Sequence, residues 1–352
     1  MSNRSFGLVA TVLVLGVAAP AAAESGEGAD DAVQVTGFVD ASYSGNLDLG
    51  TDTFGLDQAE VDLIRSFGPR GGVRADLEWV KNGDGWELDV EQGFLDYVPT
   101  FAPRLTFTLG KFNAPIGFEL LDAPDMYQFS HALVFDYGLP TNLTGAMVTV
   151  AASEAVEVRA YVVNGWDEND LGAPGPKTVG GRFGYSFGER GGCGVSAIYG
   201  RTMLDYWDEG PFGPFDRTVL DADVTLTPMP GLVVGGEVNH GRIDFGGGSP
   251  TGAYPSDVRS WTGALVMAHY DFNEWLGLTG RFDVFDDFYL VLQGMGETRT
   301  AVTLAPTFAL GDGMGALIEV RIDSANEDVF DDGDGGLKGS TTSAAFEMTY
   351  SF

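Results

Sequence analysis

Cysteine is almost missing from this 352-residue chain: Cys193 stands alone, so no internal disulfide can form. Cationic side chains are scarce, 19 Lys and Arg against 51 Asp and Glu, and the formal charge is -32. Phosphate backbones are held by basic patches, so nucleic acid is not a partner. Histidine occurs only as His131, His240 and His269. His131 follows Ser130, but adjacent positions on one stretch do not assemble a nucleophile, a base and an orienting group. No enzyme, cofactor or metal site is therefore expected. Helical periodicity is missing beyond the first two dozen residues, against a soluble binding protein of alternating helices and strands. No apolar run reaches the roughly 20 residues of a membrane helix.

The first 23 residues read as a secretory leader: Arg4 as the positive flank, residues 6–17 as a short apolar run, and Ala21, Ala22 and Ala23 as the cleavage site. Residues 24–352 form the mature chain. Glycine is abundant there, and the apolar residues come in short alternating pieces. At the C-terminus Thr342, Ala344, Phe346, Met348, Tyr350 and Phe352 share one face of an extended strand, while Ser343, Ala345, Glu347, Thr349 and Ser351 share the other.

Sixteen strands of this kind are predicted, at 33–43, 54–66, 71–81, 86–97, 104–112, 142–151, 155–163, 177–188, 192–201, 217–227, 230–240, 257–271, 274–286, 297–309, 314–323 and 339–352. Their connections alternate. Tight Gly/Pro/Asn/Asp turns lie at one end, including Pro228-Met229-Pro230 and Gly311-Asp312-Gly313. Longer loops lie at the other, from residues 44–52 to residues 324–338; Asn82-Gly83-Asp84-Gly85 is the short exception. That sorting implies an all-β, 16-stranded antiparallel up-and-down transmembrane barrel in the outer membrane of a Gram-negative-type bacterium, surrounded by lipid and lipopolysaccharide, with its turns in the periplasm. The terminal Phe352 is the expected handle for the barrel-assembly machinery.

Charge fixes the sidedness. Leu105, Phe107 and Leu109 oppose Arg104, Thr106 and Thr108; Ile318, Val320 and Ile322 oppose Glu319, Arg321 and Asp323. An Arg or Lys turned to lipid near the midplane costs about 2–4 kcal/mol, so the charged faces line a lumen, and about sixteen strands leave that lumen open to water. The expected lining is Arg74, Asp76, Glu78, Arg104, Glu157, Arg159, Arg182, Asp221, Asp223, Glu237, Arg281, Asp283, Arg299, Glu319, Arg321 and Glu347, some of them in cross-strand ion pairs. The same reading places Asp40, Glu60, Asp62, Glu87, Asp89, Glu91 and Asp323 on lumen faces. Around Val90 to Tyr97 the apolar face switches, which predicts a bulge near Gly93. Strand 257–271 is apolar on both faces and takes no orientation from its sequence.

The longest loop, 113–141, is third in the exposed set and unusually apolar: Phe118, Leu120, Leu121, Met126, Tyr127, Phe129, Leu133, Val134, Phe135 and Tyr137. Such a segment packs on something rather than standing in water. Folded into the lumen it places Glu119, Asp122, Asp125, His131 and Asp136 at a constriction; the other arrangement is a cap over the barrel mouth.

Lys111-Phe112, Pro115-Ile116-Gly117-Phe118-Glu119, Ser130-His131, Pro140 and Thr144-Gly145 resemble the corresponding stretch of the OmpL-like outer-membrane β-barrel porins. The resemblance implies a channel for passive diffusion of small hydrophilic solutes. Phosphate-selective relatives need a basic interior, whereas the lysines here are Lys81, Lys111, Lys177 and Lys338. Rings of acids favour cations, and a mild cation preference is expected. In trimeric porins the second exposed loop latches onto a neighbour; Asn82 to Gly85 is too short to latch, which leaves a homotrimer open. The other readings are a non-conducting adhesin or scaffold barrel and a solute-specific channel. The final loop carries Glu327, Asp328, Asp331, Asp332 and Asp334 but no complete Asp-x-Asp-x-Asp-Gly run. It is read as a solvated loop facing lipopolysaccharide through divalent ions.

Overall fold

The computed structural model describes residues 32–82, 85–169, 175–202, 215–244, 258–287 and 296–352. Residues 1–23, expected as a leader, and the tips of several long loops lie outside these residues. In chain order the strands are β1 (Gln34–Asn46), β2 (Thr51–Ser66), β3 (Gly71–Asn82), β4 (Gly85–Tyr97), β5 (Leu105–Asn113) and β6 (Asn142–Ala151). There follow β7 (Val156–Val163), β8 (Thr178–Ser186), β9 (Gly191–Thr202), β10 (Phe215–Met229), β11 (Leu232–Asp244) and β12 (Val258–Asn273). The last are β13 (Leu276–Asp287), β14 (Glu297–Gly311), β15 (Met314–Ala325), β16 (Phe330–Asp331), β17 (Leu337–Lys338) and β18 (Ser340–Ser351). β16 and β17 form a small hairpin of their own within the final loop; the other sixteen close into one antiparallel barrel in sequence order. β1 and β18 complete the circle from Phe38 opposite Ser351 to Asn46 opposite Ser343. Among the described residues no helix is long and apolar enough to cross a membrane.

All sixteen predicted strands are present, shifted by a few residues at their ends. The connection that shortens most is residues 44–52, expected as a long loop. There β1 and β2 continue to Asn46 opposite Thr51, leaving a connection of Leu47 to Gly50. Asn46 closes it by accepting the backbone N–H groups of Asp48 and Leu49 at 3.0 and 3.1 Å, and the Tyr43 and Phe54 rings, 4.6 Å apart, pair across the extension. The β4 bulge falls at Glu91, two residues before Gly93. Leu77 pairs with Val90 and Asp76 with Gln92, so Glu91 is the extra residue and both Glu91 and Gln92 turn to the buried face.

Alternation sorts the two sides of the sheet as the charges require. Leu109, Val162, Leu220, Ile322 and Phe346 are exposed on one face, while Thr108, Glu157, Asp221, Arg321 and Glu347 are buried on the other. Exposed aromatics gather toward the strand ends, Tyr97, Phe101, Phe187, Trp275 and Phe352 at the short-turn end and Phe54, Trp79 and Trp86 at the other, which is the girdle arrangement of membrane barrels.

β12 acquires its orientation here. Val266 and Tyr270 are on the exposed face; Trp261, Leu265 and Met267 are buried on the other. Those three belong to the apolar cluster that also holds Ile116, Phe118, Leu133, Val134 and Leu139 of segment 114–141. One face of β12 thus meets the membrane and the other meets protein, and both are apolar for different reasons.

Candidate functional site

Segment 114–141 runs from β5 to β6 and contains a 3-10 turn, Ala123–Asp125, and one short helix, α1 (Leu133–Gly138). Its apolar residues bury against β11–β13, and glycines on the wall make the room. Phe118 lies over Gly235 and Trp261 over Gly241, where a Cβ would fall about 2 Å from the ring atoms. Gly241→Val is therefore expected to displace Trp261 and destabilise the barrel by about 1–3 kcal/mol, read as a changed tryptophan emission and a lowered denaturation midpoint.

Many of the segment's polar contacts with the wall are made by its backbone. Gly117 donates its N–H to Asp221 at 3.3 Å and Phe118 to Glu237 at 2.7 Å. Ser130 donates to Glu319 at 3.1 Å and Leu133 to Asp283 at 3.0 Å. Arg281, fully buried at its side chain, donates to the Ser130 and His131 carbonyls at 2.6 and 3.0 Å and pairs with Glu119 at 2.7 Å and Asp283 at 3.2 Å. Arg321 adds a 2.6 Å bond to the His131 carbonyl. Farther along, Gln58 of β2 accepts the Ala123 N–H at 3.0 Å, and the Tyr127 ring stacks on His269 of β12 at 4.1 Å. The bonds accepted by Asp221, Glu237, Glu319 and Asp283 and those donated by Arg281 and Arg321 are charge-assisted, the strong kind.

The wall at β2–β4 has a different character. Glu60 and Asp76 are buried, and Asp62, Glu78 and Glu91 share their face. Arg74 pairs with Asp76 at 2.8 Å and reaches Asp62 at 3.7 Å; Lys111 pairs with Asp89 at 3.3 Å. Asp122, at the start of the 3-10 turn, adds a carboxyl pushed up to about 8 by burial, by Glu91 and by Asp125. Partial desolvation raises Asp125 as well, with Arg74 opposing the shift. Between segment 114–141 and β7–β8 lies a cavity of ≈ 200 Å³, lined by Ile116, Leu120, Phe135, Arg159 and Arg182 among others.

Residues 54–352 match the family described as "Putative beta-barrel porin-2, OmpL-like". The chain belongs to this family. No curated protein matches it in sequence. Among solved structures its fold is similar to the trimer form of OmpT from Vibrio cholerae, with 14% identity, a TM-score of 0.63, and coverage of 91% of this chain and 99% of that one. It is also similar to the outer-membrane channel DcaP of Acinetobacter baumannii, with 10% identity, a TM-score of 0.65, and coverage of 91% and 97%. The anion-selective porin from Comamonas acidovorans gives 10% identity, 0.63, and coverage of 91% and 99%. At such identities the likeness is one of fold. Family and fold together make the protein an outer-membrane porin.

Of the residues named from this porin's sequence, Asp76, Glu157, Asp221, Asp223, Glu237, Arg281, Asp283, Glu319, Arg321 and Glu347 are buried on the charged face. Arg74, Glu78, Arg159, Arg182 and Arg299 share it with partial exposure. Arg104 is placed differently: it lies just before β5, exposed at the short-turn end, and donates to the Ala152 carbonyl at 3.0 Å. Two residues expected at the constriction have polar atoms already engaged. Glu119 is engaged by Arg281, Gln128 and the Ala132 N–H, and His131 stacks on Phe135 and meets the Leu120 carbonyl at 2.8 Å. Asp125 and Asp136 are exposed and Asp122 is half-buried.

Some of the expected cross-strand ion pairs form, Arg74 with Asp62 and Arg182 with Asp223 among them. Others run along a strand: Arg74 with Asp76, Arg159 with Glu157, Arg281 with Asp283, Arg299 with Glu297, and Arg321 with Asp323. Arg182 reaches over β9 to Asp223 at 2.5 Å. Arg217 and Arg259 were not among the residues named. Arg217 shares the parity of Asp221 and lies over the Trp166 ring at 4.4 Å, so the alternation alone could have found it. Arg259 is buried, on the face of β12 that its sequence left unassigned.

Proposed function

We propose that this porin passes small hydrophilic solutes and ions by passive diffusion through a lumen narrowed by segment 114–141, with a mild preference for cations. The observation that carries the preference is the asymmetry of the wall. Arg281 and Arg321 are held by the backbone of 130–131 and by their own carboxylates. The β2–β4 wall, with Asp125 beside it, presents a majority of acidic side chains next to Arg74 and Lys111. Acidic linings on low-dielectric walls concentrate cations. A fold shared with a porin described as anion-selective leaves the sign to these side chains.

The test is single-channel recording of the refolded protein in asymmetric KCl. Stepwise conductance with a reversal potential of cation-selective sign is expected. Silence in the bilayer would favour an adhesin or scaffold, and an anion-selective potential would refute the preference. Saturable block by one sugar or amino acid would make the channel solute-specific.

The same reading assigns residues 1–23 to a leader removed on export, the exposed apolar belt to lipid, the acidic final loop to lipopolysaccharide, and Phe352 to the assembly machinery. The trimer form of OmpT makes a homotrimer the proposed assembly. With only residues 83–84 between β3 and β4, contact between copies would come from the outward apolar strands.

A further inference from the structure

We propose that Glu60, Glu78 and Glu91 form a binding site for a hard divalent cation, calcium foremost, on the β2–β4 wall. The β2–β3 register sets Glu60 opposite Glu78, and the bulge in β4 turns the extra residue, Glu91, to the same face. One carboxylate oxygen from each lies within 4.8 Å of the others. Like charges directly opposite in a sheet destabilise it, so the arrangement is relieved only by a proton or by a cation.

Glu60 shows where such a cation belongs. It is 2% exposed, and among the described residues neither of its carboxylate oxygens has a hydrogen-bond donor. An ionised carboxylate buried without a partner is among the costliest groups a protein can hold. The nearby cations are engaged elsewhere, Arg74 by Asp76 and Asp62, Lys111 by Asp89.

The flanking amides leave oxygens available for an ion. Asn113 donates to one oxygen of Glu91 at 3.0 Å, and Gln58 to one of Glu78 at 3.4 Å. A second group, Glu60 with Asp62 and Asp76, shares the buried glutamate, but Arg74 already compensates its two aspartates. All-oxygen, carboxylate-rich and irregular, the three glutamates suit calcium better than magnesium, which demands near-ideal octahedral geometry. Asp122 has a buried oxygen with no donor and lies within electrostatic reach of Glu60 and Glu91. An ion here would therefore join segment 114–141 to the wall it faces.

The test is isothermal titration of CaCl2 into the full refolded protein in chelator-treated detergent buffer. One site is expected with a Kd of about 0.1–1 mM, the range of extracellular calcium modules. Glu60→Gln and Glu78→Gln should each weaken binding at least about tenfold. Asp331→Asn with Asp334→Asn in the final loop should leave it unchanged. Heat-modifiable electrophoretic mobility identifies folded variants, with Glu91→Gln as the substitute if either glutamine variant fails to fold. No binding heat, binding that survives the glutamine variants, or binding lost only with the final-loop variant would each overturn the site. Because binding is read without ion current, these outcomes are independent of the channel's selectivity.

Discussion

Arg281→Ala is expected to release segment 114–141, raising single-channel conductance and making it fluctuate. One guanidinium holds the Ser130 and His131 carbonyls, Glu119 and Asp283. Alanine leaves two buried carboxylates uncompensated, and breaking a buried pair from one side costs about 3–5 kcal/mol. The barrel's own ladders do not pass through Arg281's side chain, so the sheet should persist while the segment becomes open to protease. Arg281→Lys keeps the charge but not the planar fork of donors, and should fall between the two. Conductance and protease resistance both unchanged in the alanine variant would mean that the segment is held without this residue or obstructs nothing.

Asp122→Lys combined with Asp125→Lys is expected to lower the potassium-over-chloride permeability ratio several-fold, shifting the reversal potential toward the anion-selective sign. The two residues flank and end the 3-10 turn and have Glu91 and Arg74 as electrostatic neighbours. Positive charge at both positions would replace the attraction of Asp125 and the largely protonated Asp122 by a barrier to cations inside a low-dielectric wall, where charges interact more strongly than in bulk water. The same change at Asp331 and Asp334, exposed on the final loop, should move the potential far less. Equal shifts from the two pairs would mean that overall charge, and not the lumen near β2–β4, sets selectivity.

Much of this architecture is written locally. Strand period, turn residues and the cost of a charge in lipid act within a few positions of one another, so the sixteen strands and their faces are readable one at a time. The same-strand pairs were equally legible. Arg74-Ala75-Asp76, Arg281-Phe282-Asp283 and Arg321-Ile322-Asp323 each set opposite charges two residues apart on one face.

Other features were legible only as residue types. Glu119 was recognisable as an acid of the third loop, but its destination depends on Arg281, 162 positions away. β12 had no readable orientation, because its inner face is covered by a segment from more than a hundred residues earlier. Gly235 and Gly241 gave no sign of the rings they accommodate, since a close approach leaves its mark on two distant stretches at once.

The sequence alone determined an exported, closed, sixteen-stranded barrel with its charges turned inward, because each of those properties follows from short-range alternation and from the price of polarity in hydrocarbon. Tertiary structure alone decided which inward charges hold segment 114–141 and which gather as an acidic wall. That division depends on where a long loop comes to rest, and its resting place is set by partners scattered across the whole chain.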